Sequence, residues 1–205
     1  MQNQLKVMLE LQNAMNTRVH SEWREQGFEW YRAIWIESAE LMDHYGWKWW
    51  KHQKPDVEQV KLELIDIFHF GLSILLVNKT SIESIAEQVS DALKVDESVD
   101  FKNALEAFTA HTLNEKDFSV SLFVRLLKGM EMTFEDLYSG YVGKNVLNFF
   151  RQDHGYQDGT YKKIWDGRED NEHLVELVAE LDVSDAQFSA KLYQSLKTRY
   201  ETDIS

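Results

Sequence analysis

Two pairs of acidic residues have the types and the spacing that could hold a metal ion. Glu37 and Glu40 form one pair, and Glu63 and Asp66 form the other, each three positions apart. Residues at this spacing share a face of an α-helix. Both pairs lie within strongly apolar helical patterns, where several carboxylates brought together would repel each other and resist ionisation. We therefore expect a divalent cation to compensate their charge.

The chemistry of these four residues favours Mg²⁺, with Mn²⁺ as a substitute. Carboxylate oxygens without cysteine are the ligands that these ions prefer. The nearby cations Arg32 and Lys61 fall on other faces of the helical wheel, so they do not replace a metal. Mg²⁺ bound in this way usually completes its shell with substrate phosphates, and it can activate a water for attack on phosphorus.

The helices that position the acids are predicted from hydrophobic periodicity. With Glu37 at zero on the wheel, Ile34 and Leu41 fall within about 60° of it, as do Trp30, Ala33 and His44, and Glu40 lies about 60° to the other side. The next helix, 56–78, is apolar almost all round, which indicates a buried helix. Glu63 and Asp66 share their sector with apolar residues of that helix.

Helical spacing dominates the whole chain of 205 residues, and strand signals are few. The pattern predicts helices at 3–20, 29–45, 56–78, 81–95, 100–114, 117–130, 133–152, 170–182 and 184–202. With one proline and no break that would separate two domains, we expect a single all-α domain over residues 1–205. It would be a multi-helix bundle around the buried helix that carries E-x-x-D.

Composition excludes several classes of protein. A net charge of −13 opposes general nucleic-acid binding, and the absence of cysteine excludes a disulfide scaffold. The longest apolar run is far shorter than the ~20 residues of a membrane span, and the first residues do not resemble a signal peptide. We expect a soluble, cytoplasmic protein without membrane or nucleic-acid partners.

A second group of polar residues could bind phosphate. Lys144, Asn148 and Arg151 project from one helical face, and a glycine-punctuated stretch follows them. Residues 144–168 contain five basic and three acidic residues, a local charge of +2 in an acidic chain. Such a segment can be a phosphate clamp or simply a solvated face.

Two further features have alternative interpretations. Gln12 and Asn16 share a helical face and could be solvated amides or hydrogen-bonding groups for a ligand. Six of the seven tryptophans fall between Trp23 and Trp50, and Trp47 begins the stretch Trp-Lys-Trp-Trp-Lys that ends at Lys51. These aromatic rings could pack in the core or flank a base and its phosphates.

Taken together, these motifs resemble those of the dimeric all-α dUTPases, in the all-α nucleoside triphosphate pyrophosphohydrolase superfamily. The matching blocks are Leu11-Gln12 with Asn16, Glu37 to Leu41, Trp47 to Lys51, Glu63 to Phe70, Lys144 to Arg151, and Gly159 to Lys163 with Trp165, Gly167, Asp170 and Asn171. They run from the first helix to about residue 173. The last block is the most specific to this group.

The resemblance implies hydrolysis of dUTP, and of dUDP as a further substrate, to dUMP by a homodimer that requires Mg²⁺. It implies that Glu37, Glu40, Glu63 and Asp66 hold the metal, and that one of the first two activates the water. It assigns the phosphates to Lys144, Asn148, Arg151, Tyr156, Lys162 and Asn171. The base and nucleoside would contact Gln12, Asn16, Trp47 and Lys51.

The sequence is also compatible with three alternatives. A related pyrophosphohydrolase could act on another nucleotide such as dCTP. A di-iron or di-manganese bundle would pair carboxylates with Glu-x-x-His motifs, and Asp66 with His69 resembles one, although Glu40 is followed at that spacing by Asp43. A helical adaptor without activity would explain neither the apolar faces around the acids nor the basic segment.

Overall fold

A computed structural model describes residues 1–78, 81–95, 97, 99–183, 185 and 187–204 of the chain. The chain forms two compact units, Met1–Tyr138 and Ser139–Ser205. The single domain expected over 1–205 stays a prediction. Among the described residues, none of the helices combines the length and the apolar character needed to cross a bilayer.

The predicted all-α class is confirmed. Nine α-helices lie within the described residues: α1 Gln2–Val19, α2 Trp30–Tyr45, α3 Val57–Val77, α4 Ile82–Leu93, α5 Phe101–Glu115, α6 Val120–Gly129, α7 Phe134–Asp153, α8 Asp170–Glu180 and α9 Phe188–Ile204. Their bounds differ from the predicted ones by a few residues. The start predicted for the last helix, Ser184, lies outside the described residues. A 3₁₀ turn at Trp23–Glu25 was not predicted.

Local capping explains where four of these helices begin. The side chain of Asp56 accepts a hydrogen bond from the backbone N–H of Gln59 at the start of α3. Ser81, Asp100 and Ser119 cap α4, α5 and α6 in the same way. Each cap satisfies a backbone donor that the first turn of a helix leaves without a partner.

Helix α3 forms the core of the first unit. It packs against α1 and, most extensively, against α2, which also contacts α5. Leu64 and Phe68 of α3 are fully buried, as the apolar sequence of this helix predicts. Gly71 allows Phe118 to approach, because a Cβ atom at position 71 would lie 2.5 Å from the ring. The helix therefore places its few polar side chains among tightly packed neighbours.

Gly46 ends α2 with a φ of 95° and a ψ of 107°. The positive φ expected from a glycine cap is present, but this ψ lies outside the left-handed helical region. A Cβ atom here would also lie 2.8 Å from that of Gln53. Glycine therefore lets the chain leave α2 and enter the tryptophan-rich stretch.

The second unit contains a short hairpin that was not predicted from the sequence. Strands β1, Ile164–Trp165, and β2, Arg168–Glu169, pair antiparallel. The two turn residues, Asp166 and Gly167, have φ values of 48° and 73°. Positive φ at both positions is typical of the type I′ turn that Asp-Gly favours. The hairpin contacts α8 and α9.

Candidate active site

Three of the four predicted metal ligands converge where α2 packs against α3. Glu37 of α2, with Glu63 and Asp66 of α3, offer carboxylate oxygens that lie within 4.8 Å of one another. Glu63 is only 8% exposed, and the other two residues are partly buried. The spacing of three places Glu63 and Asp66 on one side of α3. The packing of α2 against that side brings Glu37 to them.

The Glu37 carboxyl resists ionisation in this cluster. Burial, a hydrogen bond with the Glu63 carboxyl and the negative charges of Asp66, Glu63 and Glu40 raise the pKa of Glu37 to about 9. A proton therefore stays on Glu37 at neutral pH when no cation is bound. The three carboxylates fit a divalent cation, because its charge offsets their repulsion and their oxygen atoms suit Mg²⁺ or Mn²⁺.

Glu40 differs from the other three acids. It is exposed, and it lies outside the group whose oxygens converge in the described part of the chain. Its negative charge nevertheless raises the pKa of Glu37, as expected one turn away on the same helix. Its assignment as a metal ligand and catalytic residue stays a prediction.

His44 lies next to the cluster, and the contact of this histidine with Glu63 was not predicted. Its Nε2 atom lies 3.6 Å from a carboxylate oxygen of Glu63. The helical wheel placed His44 on the same face as Glu37, which was the signal in the sequence. His44 therefore adjoins the cluster through Glu63.

His69 makes a contact that does not favour the di-iron hypothesis. Its Nδ1 atom lies 2.7 Å from Oε1 of Gln12, so this nitrogen is directed at α1. The metal-capable group found among the described residues consists of three carboxylates and includes no histidine. The Glu-x-x-His resemblance of Asp66 and His69 therefore has no counterpart in the observed ligand cluster.

Gln12 and Asn16 form a buried hydrogen-bond network with α3. They are 4% and 5% exposed, so the alternative of solvated amides is wrong. The Gln12 amide donates to Asn16 Oδ1 at 3.0 Å and to Ser73 Oγ at 3.1 Å. Asn16 donates to the same Ser73 oxygen at 2.9 Å, and the Ser73 hydroxyl donates to the backbone carbonyl of His69 at 3.0 Å. Ser73 thus orients both amides.

The predicted core packing holds for Trp23, which is buried, but residues 47–51 of the tryptophan-rich stretch lie at the surface. Trp47, Trp49 and Trp50 are 45%, 90% and 57% exposed, and Lys51 is exposed as well. The Trp47 indole donates a hydrogen bond to Asp43 at 2.9 Å, and Lys48 lies over its ring at 5.4 Å from the centroid. The rings are available for a ligand, but contact of Trp47 and Lys51 with a nucleotide stays a prediction.

Four of the six predicted phosphate-binding residues come together in the second unit. Lys144 Nζ donates to Asn171 Oδ1 at 2.9 Å. Arg151 donates from Nη1 to Asn148 Oδ1 at 3.4 Å and from Nη2 to Asn171 Oδ1 at 3.5 Å. The spacing of Lys144, Asn148 and Arg151 puts them on one face of α7, and the first turn of α8 supplies Asn171. The polar face predicted from this spacing is thus an organised cluster.

The other two predicted phosphate-binding residues are less enclosed. Tyr156 is 50% exposed, and the Arg151 guanidinium carbon lies 5.8 Å from the centroid of its ring. Lys162 is exposed, and its backbone N–H donates to the Tyr200 hydroxyl at 3.4 Å. Tyr156 therefore adjoins the cluster through Arg151.

Asp170 and Tyr161 belong to this cluster and were not predicted as site residues. Asp170 accepts hydrogen bonds at 2.8 Å from two guanidinium nitrogens of Arg151 and from the Tyr161 hydroxyl. Both residues lie in the sequence block that carries the resemblance. An acid just after the basic segment 144–168 and next to Asn171 was the available signal, but sequence spacing alone does not identify its partner.

A family model described as dUTPase matches residues 4–156 of the chain. The matched range contains Gln12, Asn16, all four predicted metal ligands and the cluster residues of α7, and it ends before Lys162 and Asn171. A search of curated proteins finds no match.

Proposed function

We propose a metal-dependent mechanism for this chain, which belongs to the dUTPase family, of the all-α type, and hydrolyses dUTP. In this proposal Glu37, Glu40, Glu63 and Asp66 hold Mg²⁺, and the products are dUMP and pyrophosphate. The observation that carries the metal proposal is the convergence of carboxylate oxygens from Glu37, Glu63 and Asp66 within 4.8 Å. Repulsion within that group is what a bound cation would relieve.

When bound, Mg²⁺ would offset the negative charge of the phosphate oxygens and lower the pKa of a coordinated water. Mn²⁺ would substitute, because both ions accept carboxylate ligands. Glu63 and Asp66 would hold the ion from α3, and Glu37 from α2. The contact of His44 with Glu63 supports an orienting role for this histidine, since partners of ligand carboxylates tune the ligands.

Glu37 or Glu40 would orient and deprotonate the attacking water. The water oxygen forms the new bond to phosphorus, the bridging P–O bond breaks, and the water proton passes to the carboxylate. A raised pKa suits a base only if the group is ionised before the reaction. Glu37 must therefore first release the proton that it holds without metal. Glu40, one turn away and exposed, is the alternative base.

The phosphates would be bound by Lys144, Asn148, Arg151, Tyr156, Lys162 and Asn171. Support comes from the hydrogen bonds that link Lys144, Asn148 and Arg151 with Asn171. Arginine and lysine near amide groups are suited to phosphate oxygens, arginine through paired N–H donors and lysine as a point charge. This cluster has the donor types that a triphosphate needs.

The uracil would be recognised by Gln12 and Asn16, and Trp47 and Lys51 would line the nucleoside path. Uracil presents carbonyl acceptors and an N–H donor, and carboxamides offer both complements. The Ser73 contacts support this role, because they fix the orientation of two amides before a ligand arrives. A preoriented amide loses less entropy on binding.

The family resemblance also implies a further substrate, an oligomeric state and a location in the cell. The protein would also accept dUDP, act as a homodimer and reside in the cytoplasm. Size-exclusion chromatography with light scattering tests the dimer, and a monomer at assay concentration would contradict it.

A nucleotide panel tests the activity and the metal together. Pyrophosphate release would be measured for the dNTPs with Mg²⁺, with Mn²⁺ and after chelation. We expect release from dUTP only when a divalent ion is present. Equal rates with dCTP or dTTP would favour the related pyrophosphohydrolase, and an iron-dependent signal without hydrolysis would favour the di-iron bundle.

A further inference from the structure

Asp170 is a completely buried carboxylate with strong donors on both oxygens. Its side chain is 0% exposed. One oxygen accepts from Arg151 Nη2 and the other from Arg151 Nε, each at 2.8 Å, and the second oxygen also accepts from the Tyr161 hydroxyl at 2.8 Å. A buried charge is tolerated only when it is paired in this way.

The electrostatics of the cluster keep this carboxylate charged. Burial opposes ionisation of Asp170, but the hydrogen bond and the charge of Arg151, the Tyr161 hydroxyl and the charge of Lys144 together hold its pKa below the ordinary value. Burial and the charge of Asp170 raise the pKa of Tyr161, so Tyr161 remains a donor. Arg151 and Asp170 therefore form a permanent ion pair at neutral pH.

The pair fixes the orientation of the guanidinium plane. Two parallel N–H···O bonds along the Nε–Nη2 edge define a bidentate contact, which is far more directional than a single bond. With this edge against Asp170, Nη1 is directed away from the carboxylate and toward the Asn148 amide. A phosphate oxygen would meet Arg151 on the Nη1 side, next to Asn148.

The carboxylate itself is held by the start of a helix. Asp170 is the first residue of α8, which begins with a capping box between Glu169 and Glu172. The next residue, Asn171, accepts a hydrogen bond from Lys144. Consecutive residues in the first turn of α8 thus hold two cations of α7.

We propose that Asp170 is a positioning residue for phosphate binding, acting by fixing the guanidinium of Arg151 so that its Nη1 side and the Asn148 amide face a phosphate of the nucleotide. Tyr161 supports the same carboxylate. The inference rests on the proposed function, since it requires Arg151 to bind phosphate. Displacement of a binding group by about 1 Å can cost on the order of a hundredfold in rate.

The test is a double-mutant cycle of Asp170→Asn and Arg151→Gln. The steady-state kcat and KM for dUTP would be measured for both single variants and the double variant, with deoxyuridine, which has no phosphate, as a competitive inhibitor. We expect Asp170→Asn to lower kcat/KM by about tenfold or more while the inhibition constant of deoxyuridine is unchanged. In the Arg151→Gln background, the same substitution should add no further loss.

Two control variants separate positioning from stability. Glu176→Gln removes another carboxylate of α8 that accepts hydrogen bonds from two arginines, Arg168 and Arg199, and it should leave kcat/KM unchanged. Tyr161→Phe removes one donor to Asp170 but keeps the ring. It should lower kcat/KM severalfold when Arg151 is present and have no effect in the Arg151→Gln background. If Asp170→Asn does not fold, Tyr161→Phe tests the positioning role in its place.

The outcomes distinguish this inference from the function on which it rests. Wild-type kcat/KM in Arg151→Gln would contradict phosphate binding by Arg151 and, with it, the positioning role. A loss in Arg151→Gln combined with normal kinetics in Asp170→Asn and Tyr161→Phe would overturn the positioning role alone. Multiplicative losses in the double variant, or equally weakened deoxyuridine binding, would also overturn it.

Discussion

Glu37 and Glu63 are joined by a hydrogen bond between their carboxyl groups across the contact of α2 with α3. One proton therefore lies where the proposed cation would bind. Metal binding must displace this proton, so the two events are thermodynamically linked.

Substitution of Glu63 by glutamine should nearly abolish turnover and leave the fold intact. Removing a residue that only hydrogen-bonds to a metal ligand typically lowers metal affinity or activity by about 10–100-fold. Removing a ligand itself should therefore lower kcat by more than about a hundredfold. The amide removes a repulsive charge, so the metal-free protein should be at least as stable as the wild type. Rates of pyrophosphate release and urea unfolding curves measure the two effects.

Glu58→Gln is the matched control for this variant. Glu58 lies on the same helix but is exposed and only 3.7 Å from Lys61, so its loss should change neither rate nor stability by much. Near-normal activity of Glu63→Gln would remove the metal assignment.

The metal-free protein should become less stable as the pH rises. The ordinary pKa of Glu37 is 4.5, and the folded protein raises it to about 9. Between these values the folded state holds a proton that the unfolded state has released, so the stability present below pH 4.5 is lost as the pH increases toward 9. The slope should not exceed about 1.4 kcal/mol per pH unit, and solvent screening reduces it.

Urea unfolding in a chelator at several pH values measures this slope. Glu37→Gln should flatten it, and added Mg²⁺ should stabilise the wild type more at high pH than at low pH. A rise in stability with pH in the chelated wild type would show that Glu37 does not hold the proton.

Substitution of Gly71 by alanine should destabilise the first unit. The new Cβ would lie 2.5 Å from the buried ring of Phe118, and overpacking of this kind typically costs about 1–3 kcal/mol. This exceeds the helix-propensity gain of up to about 1 kcal/mol. Phe118→Leu should partly rescue Gly71→Ala in a double-mutant cycle of unfolding free energies, and strict additivity would argue against the contact.

Substitution of Ser73 by alanine should affect stability and base selectivity together. It removes the oxygen that accepts from both Gln12 and Asn16, and a buried donor left unsatisfied costs about 1–3 kcal/mol. If the amides recognise uracil, the preference for dUTP over dCTP should also fall. Ser84→Ala, at an exposed helical position, should stay within about 0.5 kcal/mol of the wild type.

Helices were predictable because each carries its own signals. The apolar periodicity of 56–78 and the cap at Asp56 lie within the segment that they define, so no distant residue is needed to recognise it. The hairpin at 164–169 was missed because two strands of two residues are too short for alternation to be visible. Only the Asp166-Gly167 pair indicated it.

The parts of the candidate site that depend on spacing along one helix were predictable from the sequence. The parts that depend on contacts between distant residues were not. The acids of α3 had to share a face, and the convergence of Glu37 with them followed from the packing of two apolar faces. The partners of Arg151 and Gln12 could not be derived in this way. Asp170 is 19 residues from Arg151, and Ser73 is 61 residues from Gln12, so these contacts exist only after tertiary folding.

The burial of Trp165 gives the second unit an intrinsic optical reporter. Trp165 is the sole tryptophan after residue 50, and its fully buried ring stacks on His173 with centroids 5.2 Å apart. The exposed indoles near residue 50 should be accessible to a soluble quencher, whereas that of Trp165 should be shielded. Trp23 of the first unit is also buried, at 3% exposed, so fluorescence quenching can follow the loosening of residues 139–205 separately only in a Trp23→Phe variant.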